Sequence, residues 1–279
     1  MNPTSRARGL IITADDFGRH PAINEAVELA HREGVLTAAC LMMGEAHIAD
    51  AVQRAKRMPS LRVGLHVVLT EGHSVLPSAQ IPALVDADGR FPDDAMARDG
   101  ARFFFLPSVR RQLAAEIRAQ FEAFKATGLP LDHVNAHRHF HLHPTILSLI
   151  LSIGRDYGLR AIRWPAEADA PMFLKPWLAL LRRRLNKADI ASNDQVAGLA
   201  QSGGMDEARM LSVIESLAPG VTEIYLHPAT VSGAHIAQPM ASYRHADELA
   251  ALLSPRVRAL IEQRRIPCGG FSDLFPVSR

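Results

Sequence analysis

The chain has 279 residues, of which 48% are hydrophobic, enough for one large α/β domain or two small ones. Its 31 basic and 29 acidic residues give a net charge of +2 and no electrostatic case for a nucleic-acid partner. Two distant cysteines, Cys40 and Cys268, exclude a disulfide framework and a thiolate zinc site. The sequence contains neither a spanning apolar stretch nor a signal-peptide pattern, so we expect a cytoplasmic protein.

The first third of the chain alternates short apolar runs with helical patterns. Residues 9–14 predict a buried strand that ends at Asp15 and Asp16. Apolar residues at helical spacing after Pro21 predict a helix that ends near Gly34. A strand at 35–43, a helix at 46–58 and a strand at 61–69 follow. This alternation predicts a parallel sheet with crossover helices.

The remaining elements continue the pattern after an interruption. Residues 70–106 contain several prolines and predict a long loop, which in compact α/β domains often forms a lid or a substrate wall. Helices are predicted at 108–127 and 144–157, and strands at 131–139, 160–165, 222–228 and 266–271. We expect a single domain over residues 1–279, with an inserted helical segment at about 168–218. About seven parallel strands indicate a TIM-barrel-related (β/α) barrel, with an open doubly wound sheet as the alternative.

Polar side chains interrupt four apolar runs at or near their carboxyl ends. They are Asp15 and Asp16, His66, the histidines from His137 to His143, and His227. In parallel α/β folds the ligand site lies at this edge of the sheet, so we expect the four segments to converge. Aspartate and histidine are together a ligand set for a divalent metal ion.

The adjacent acids and His66 also have simpler explanations. Side chains alternate along an extended strand, so one of Asp15 and Asp16 would face a metal and the other water or substrate. An aspartate before a helix is also a common N-cap. A lone buried histidine such as His66 is more often a neutral core residue bonded to a carbonyl. Its similar depth in a neighbouring strand favours the ligand interpretation.

Histidines are concentrated in residues 132–143, which hold five of the thirteen in the chain: His133, His137, His139, His141 and His143. They share one parity and would share one face if the whole segment were a strand. Pro144 begins a helix, so we expect the strand to end near His139. The first candidates for ligands are then His137 and His139, with His141 and His143 at the rim.

His227 and three further residues complete the candidates. His227 follows an apolar run, and a histidine at a strand end is a candidate general acid near neutral pH, whereas a structural rim histidine is the alternative. Asn135, Arg163 and Trp164 are weaker candidates for lining the pocket or bonding the ligands.

Taken together, these motifs resemble the YdjC-like carbohydrate deacetylases, which include chitooligosaccharide deacetylases. The motifs are TADDFG at 13–18, GLH at 64–66, HRHFH at 137–141 and EIYLHP at 223–228, and the resemblance extends from residue 9 to about 274. It implies a (β/α) barrel-like fold and metal-dependent removal of N-acetyl groups from amino sugars. By similarity, Asp16, His66 and His137 would hold one divalent ion, magnesium or zinc, with manganese or cobalt as alternatives. Asp15 would be the base, and His227 would lie near the reacting centre.

The chain departs from the family pattern in two places. Asn135 and Ala136 stand where members often have Asp-Ser, which removes a charge near the metal, and Ala229 replaces the commoner glycine after His-Pro. With Trp164 and residues 198–205, these details are most similar to the hopanoid-biosynthesis branch, called HpnK. That branch implies an N-acetylglucosaminyl lipid as the substrate.

A basic amphipathic stretch at 170–185 adds a hypothesis about partners. Its apolar stripe and arginines are consistent with a lipid-linked substrate or peripheral membrane contact, although an ordinary packed crossover helix is the simpler interpretation. The functional alternatives are a chitooligosaccharide deacetylase, a metal-dependent phosphoesterase or sugar isomerase, and a catalytically inert sugar-binding protein. Neither the metal nor the oligomeric state, for which a homodimer is one option, follows from the sequence.

Overall fold

The structure is a computed structural model that describes residues 8–165, 175–199 and 201–276. Its core is one parallel sheet in the order β4-β3-β2-β1-β6-β5, curled into a half-barrel. The six strands are β1 (Arg8–Phe17), β2 (Ala38–Leu41), β3 (Arg62–Val67), β4 (Val134–Ala136), β5 (Gln195–Ala197) and β6 (Gly220–Leu226). The (β/α) barrel-like fold class expected from the sequence is therefore confirmed.

Helices connect the strands and cover the outside of the sheet. In the described residues they are α1 (Pro21–Arg32), α2 (Ile48–Lys56), α3 (Ala95–Phe105), α4 (Pro107–Ala126), α5 (Pro144–Gly154), α6 (Lys175–Lys187), α7 (Glu207–Glu215), α8 (His245–Leu253), α9 (Pro255–Gln263) and α10 (Phe271–Leu274). Proline begins α1, α4, α5 and α9, where its fixed φ suits the first turn and its missing N–H costs no hydrogen bond. None of the described helices is both long and apolar enough to cross a bilayer.

The interior of the half-barrel changes from apolar to polar along β1. Every residue from Gly9 to Phe17 is buried, as expected for the central strand of a parallel sheet. On the inward face Ile11 packs in a small apolar cluster with Val221 and Phe271. Two residues further on, Thr13 donates a 2.7 Å hydrogen bond to Glu223. Asp15, the next inward residue, begins the polar site at the carboxyl ends of the strands.

The structure corrects the predicted element list in several places. Residues 160–165 are not a full strand: Ile162 forms an isolated bridge with Val134, and Ala161 forms one with Ala191. Residues 266–271 contribute one bridge, between Cys268 and Leu10. The predicted loop 70–106 contains α3, and the predicted helical segment 168–218 contains β5. A three-residue edge strand such as β5 carries too short a pattern for detection from sequence.

Candidate active site

A bulge at the end of β1 turns both adjacent acids toward one cavity. Ala14 and Phe17 of β1 pair with Ala39 and Leu41 of β2, so β1 has one extra residue between the two pairs. Asp16 absorbs this residue with a left-handed φ of 64°. An extended strand would have pointed Asp15 and Asp16 in opposite directions, but because of the bulge both line the same cavity.

Asp16 lies between two histidines from neighbouring strands. His66 Nε2 is 3.3 Å and His137 Nδ1 is 3.2 Å from Asp16 Oδ1, and the two ring nitrogens are 3.2 Å apart. All three side chains are buried, and neither oxygen of Asp16 makes a well-aligned hydrogen bond. Three potential ligand atoms thus form a nearly equilateral triangle around one point.

This triangle has the dimensions of a metal-ligand set. Ligand atoms about 2.1 Å from one ion lie about 3.0 Å apart in octahedral and about 3.4 Å apart in tetrahedral coordination. Arg19 Nη1 lies 3.6 Å from Asp16 Oδ2, too far for a hydrogen bond, and a buried carboxylate without aligned hydrogen bonds is costly unless cations balance it. On distances, burial and donor type, Asp16, His66 and His137 therefore fit a divalent ion such as magnesium or zinc.

Charges around the triangle shift the pKa values of His137 and Asp16 in opposite directions. Burial alone would lower the pKa of His137, but the carboxylates of Asp16 and Glu71 raise it to about 9. Burial would raise the pKa of Asp16, and His137, His66 and Arg19 lower it well below its ordinary value. The triangle therefore contains an ion pair at neutral pH, and a metal ion would have to displace the proton of His137.

Asp15 is tied into a separate buried network below the triangle. Arg163 donates 2.5 and 2.9 Å hydrogen bonds to its two carboxylate oxygens, and the same guanidinium donates to Glu223 at 2.8 and 2.9 Å. Burial would raise the pKa of Asp15, but Arg163 and His66 lower it well below its ordinary value. Asp15 is therefore an ionised carboxylate over the whole physiological pH range.

Asn135 connects this network to the triangle. Its Oδ1 is 2.7 Å from His66 Nδ1, and its Nδ2 donates a 3.0 Å hydrogen bond to Asp15 Oδ1. An amide oxygen only accepts, so His66 carries its proton on Nδ1 and directs the lone pair of Nε2 toward Asp16. Asn135 thus sets the tautomer of one predicted ligand and holds the predicted base.

The five clustered histidines separate into different environments because β4 ends at Ala136, three residues earlier than expected. His137 lies in the triangle, whereas His133 bonds Cys40 and Asp132 deeper in the interior. After His137, Arg138 and His139 adopt a left-handed φ of 54°, which breaks the strand alternation. His139 lines the cavity beside Tyr225, with its Nε2 3.4 Å from the phenol oxygen.

The last two histidines of the segment do not line the cavity. His141 Nε2 donates to the carbonyl of Arg163 at 3.0 Å, and burial with Arg163 nearby lowers the pKa of His141 to about 3. His143 Nδ1 accepts the backbone N–H of Thr145 and caps α5.

His227 faces the cavity from the end of β6. Its Nδ1 is buried without a hydrogen-bond partner among the described residues. Burial lowers the pKa of His227 to about 4, although Asp16 and Asp15 oppose that shift. Glu248 accepts the backbone N–H of His227 at 2.5 Å, and His245 bonds its carbonyl. These two bonds hold the backbone of His227, and the ring is neutral at pH 7.

These side chains surround a cavity of about 220 Å³. The remaining lining residues are Ala136, Leu199, Ser202, Met240 and Tyr243. Four of the six described non-glycine residues with a positive φ line it: Asp16, Glu71, Arg138 and His139. Strained backbone of this kind persists where the surrounding structure enforces it, and it concentrates at functional sites.

Comparisons with known proteins agree with this arrangement. A family model described as YdjC-like protein matches residues 9–263. The chain belongs to the YdjC-like family. It is 31% identical over 266 residues to a carbohydrate deacetylase of Brevibacillus brevis, covering 95% of this chain and 99% of that protein. It is also 31% identical over 268 residues to a chitooligosaccharide deacetylase of Yersinia pestis, covering 95% and 98%.

A solved structure shows the same fold over the whole domain. It is a protein of Enterococcus faecalis V583, provisionally described as a cellobiose-phosphate cleavage protein. The TM-score is 0.79 at 26% identity, covering 97% of this YdjC-like chain and 99% of that one.

Within this YdjC-like chain, sequence reasoning missed some cavity residues and included two, His141 and Trp164, that do not line the cavity. Glu71 accepts a 2.8 Å hydrogen bond from Arg138 and approaches His137 Nε2 at 3.4 Å. Glu71 could have been found as an acidic residue shortly after β3. It was not chosen because the sequence pattern assigns residues 70–106 to a loop. Trp164 does not line the cavity; its backbone N–H bonds Asn193, and its ring packs on Arg182.

Proposed function

We propose that this chain is a metal-dependent hydrolase that removes the N-acetyl group from an N-acetylated amino sugar. The observation that carries the proposal is the buried triangle of Asp16, His66 and His137 at the wall of a cavity shared with Asp15 and His227. The names of the relatives as carbohydrate and chitooligosaccharide deacetylases support the choice of substrate class. The proposal includes one metal ion per chain and a cytoplasmic location.

In the proposed site Asp16, His66 and His137 hold the divalent ion. When bound, the ion lowers the pKa of a water molecule toward about 7 and polarises the acetyl carbonyl. The chain prepares these ligands in advance: Asn135 fixes the tautomer of His66, and Glu71 contacts the outer nitrogen of His137. Such outer contacts orient imidazole ligands and increase their basicity.

Asp15 is the proposed acceptor of the water proton. Its carboxylate is ionised at every working pH, since Arg163 and Asn135 stabilise the charged form. The same contacts make it a weak base, so a proton taken from the water is passed on readily to the proton donor of the leaving amine. Loss of a positioned general base costs roughly 10²- to 10⁴-fold in rate.

His227 is the proposed donor to the leaving amine. A ring with a pKa of about 4 is neutral at pH 7, so it acts as an acid only after receiving a proton during the turnover. The proton released from the attacking water supplies that need, and the cleaved C–N bond leaves an amine that accepts it. The second proton of the water leaves with acetic acid and passes to the amine on ionisation, so the products are acetate and the protonated amino sugar.

The finer proposal is that the sugar is linked to a lipid, as in an N-acetylglucosaminyl hopanoid. Its support is the resemblance at Asn135, Ala229 and Trp164. Helix α6, which lies between β4 and β5, adds no support for a lipid-linked substrate. In α6, Leu181 and Leu185 are buried in the core, as in an ordinary crossover helix. Met172 and Phe173, also assigned to this apolar stripe, lie outside the described residues.

The decisive experiment measures acetate release from N-acetylglucosamine oligosaccharides and from an N-acetylglucosaminyl lipid at matched concentrations. Chelation should abolish release, and adding back single metals should identify the ion. Asp15→Asn should retain the metal and lose most of the activity, because an amide keeps the shape but takes no proton. Binding of the sugar without acetate release from either substrate would instead identify an inert sugar-binding protein.

A further inference from the structure

Four large apolar side chains are exposed in the described part of the chain, and three of them are consecutive. Phe104 is 48% exposed, Phe105 77%, Leu106 43% and Leu180 44%. The first three form the corner between α3 and α4, where Pro107 begins the second helix. Single exposed apolar residues are normal, but several together mark a surface that meets another apolar phase.

The start of α5 joins the two parts of this apolar patch. The ring of Phe104 lies 5.3 Å from that of His143, the residue that caps α5. From the other side Arg184, one helical turn after Leu180, donates a 3.2 Å hydrogen bond to Ser148 of α5. The cavity-lining segment that begins at His137 leads directly into this helix, so the patch lies on the side of the domain that carries the site.

Exposed arginines accompany the patch. Arg110 and Arg111 lie in the second turn of α4, are exposed, and have no charged partner among the described residues. Residues 107–115 contain no acid, and cations near a helix N-terminus oppose the helix dipole, so these arginines do not serve helix stability. On α6, Arg183 and Lys187 are exposed on the face of Leu180, and that helix also contains no acid.

We infer that the apolar patch seats the protein on the surface of an anionic lipid bilayer. Aromatic and aliphatic side chains enter the boundary between head groups and acyl chains, while arginines bind the anionic head groups. A second copy of the chain is the less suitable occupant, because a symmetric contact would bring the arginines of one copy against those of the other. The inference is independent of the proposed reaction.

The test is co-sedimentation of the full chain with vesicles of phosphatidylcholine alone or with roughly one-third phosphatidylglycerol. The protein should sediment with the anionic vesicles and much less with the neutral ones, and added salt should weaken binding. Arg110→Glu/Arg111→Glu should lower the affinity by ~30-fold or more, as two surface charges are reversed. Phe104→Ser/Phe105→Ser should lower it by ~10-fold or more at unchanged melting temperature.

Lys56→Glu/Arg265→Glu is the matched control, since it makes the same charge change at exposed positions away from the patch, at the end of α2 and beside the start of β1. It should keep nearly all of the binding. Equal loss in this control, or no difference between anionic vesicles and buffer, would overturn the inference. Self-association that Phe104→Ser/Phe105→Ser abolishes, measured by light scattering without any vesicle binding, would assign the patch to a second copy instead.

Discussion

Two buried histidine clusters lie just before and just after β4, and they differ in how completely their polar atoms are paired. In the first, His133 Nε2 is 3.0 Å from Cys40 Sγ and Nδ1 is 2.8 Å from Asp132 Oδ2. Asp132 also accepts from the backbone N–H groups of Phe271 and Ser272 at 3.0 and 2.9 Å. Burial raises the pKa of the Cys40 thiol well above its ordinary value, so it remains a neutral donor to the ring.

The second cluster also combines histidine with aspartate, but its polar atoms are not fully hydrogen-bonded. His137 and His66 face the carboxylate of Asp16, whose two oxygens lack an aligned hydrogen bond. Its backbone is strained at Asp16, whereas neither His133 nor Asp132 has a positive φ. Composition therefore does not separate a structural polar cluster from a functional one. Hydrogen-bond satisfaction does distinguish the two clusters: fully bonded polar groups stabilise the fold, whereas buried groups without hydrogen bonds are typical of ligand sites.

Removing a predicted ligand should have the largest effect. Asp16→Ala, His66→Ala and His137→Ala should each reduce metal content, measured by elemental analysis, because two remaining side chains are too few to anchor the ion. Metal at about 100 times its dissociation constant should stabilise the wild type by about 2.7 kcal/mol and these variants hardly at all. Full metal stoichiometry in all three variants would contradict the assignment.

The matched change in the other cluster should act on stability alone. His133→Ala removes the hydrogen bonds to Cys40 and Asp132 and leaves a cavity against Phe271, whose ring is 4.5 Å away. We expect a loss of about 2–4 kcal/mol in the free energy of unfolding, measured with urea. The folded variant should retain its metal. If it lost the ion, the two clusters would not be independent.

The sequence predicted the fold well where patterns were long. The alternating apolar runs gave the parallel half-barrel, and the Asp15-Asp16, His66, His137 and His227 positions are all found along one cavity. Those residues occur at strand ends, and the carboxyl ends of parallel strands meet at one edge whatever the details of packing. The metal and catalytic roles assigned to them stay predictions.

Backbone irregularities were not predictable from the same patterns. Alternation along an extended strand would separate Asp15 from Asp16 and would keep His141 on the same face as His137. A one-residue bulge and two left-handed residues, Arg138 and His139, override it. These conformations are enforced by tertiary contacts, such as the bond of Arg138 to Glu71, which no local sequence signal contains.

Metal affinity should depend on pH through His137. Its ring must be neutral to bind a metal, and its pKa in the metal-free protein is about 9. Affinity should therefore rise about tenfold per pH unit from 7 to 9 and level off above it, measured by calorimetric titration. Glu71→Gln removes one carboxylate that raises this pKa, so the plateau should begin at lower pH. A flat profile in wild type would show that His137 is not a ligand.

The smallest change concerns Asn135, the side chain that links the unpaired cluster to Asp15. Asn135→Asp keeps an acceptor for His66 Nδ1 but loses the donor to Asp15 and places a second carboxylate where the amide now lies 3.0 Å from Asp15. We expect metal binding to persist and the pKa of Asp15 to rise, because a like charge disfavours its ionised form. The acidic limb of kcat/KM should then move to higher pH.

Asn135→Ala removes both hydrogen bonds and should weaken metal binding roughly 10- to 100-fold. If both variants had the metal affinity and pH profile of wild type, Asn135 would act only as a packing residue, and the His66 tautomer would be set elsewhere.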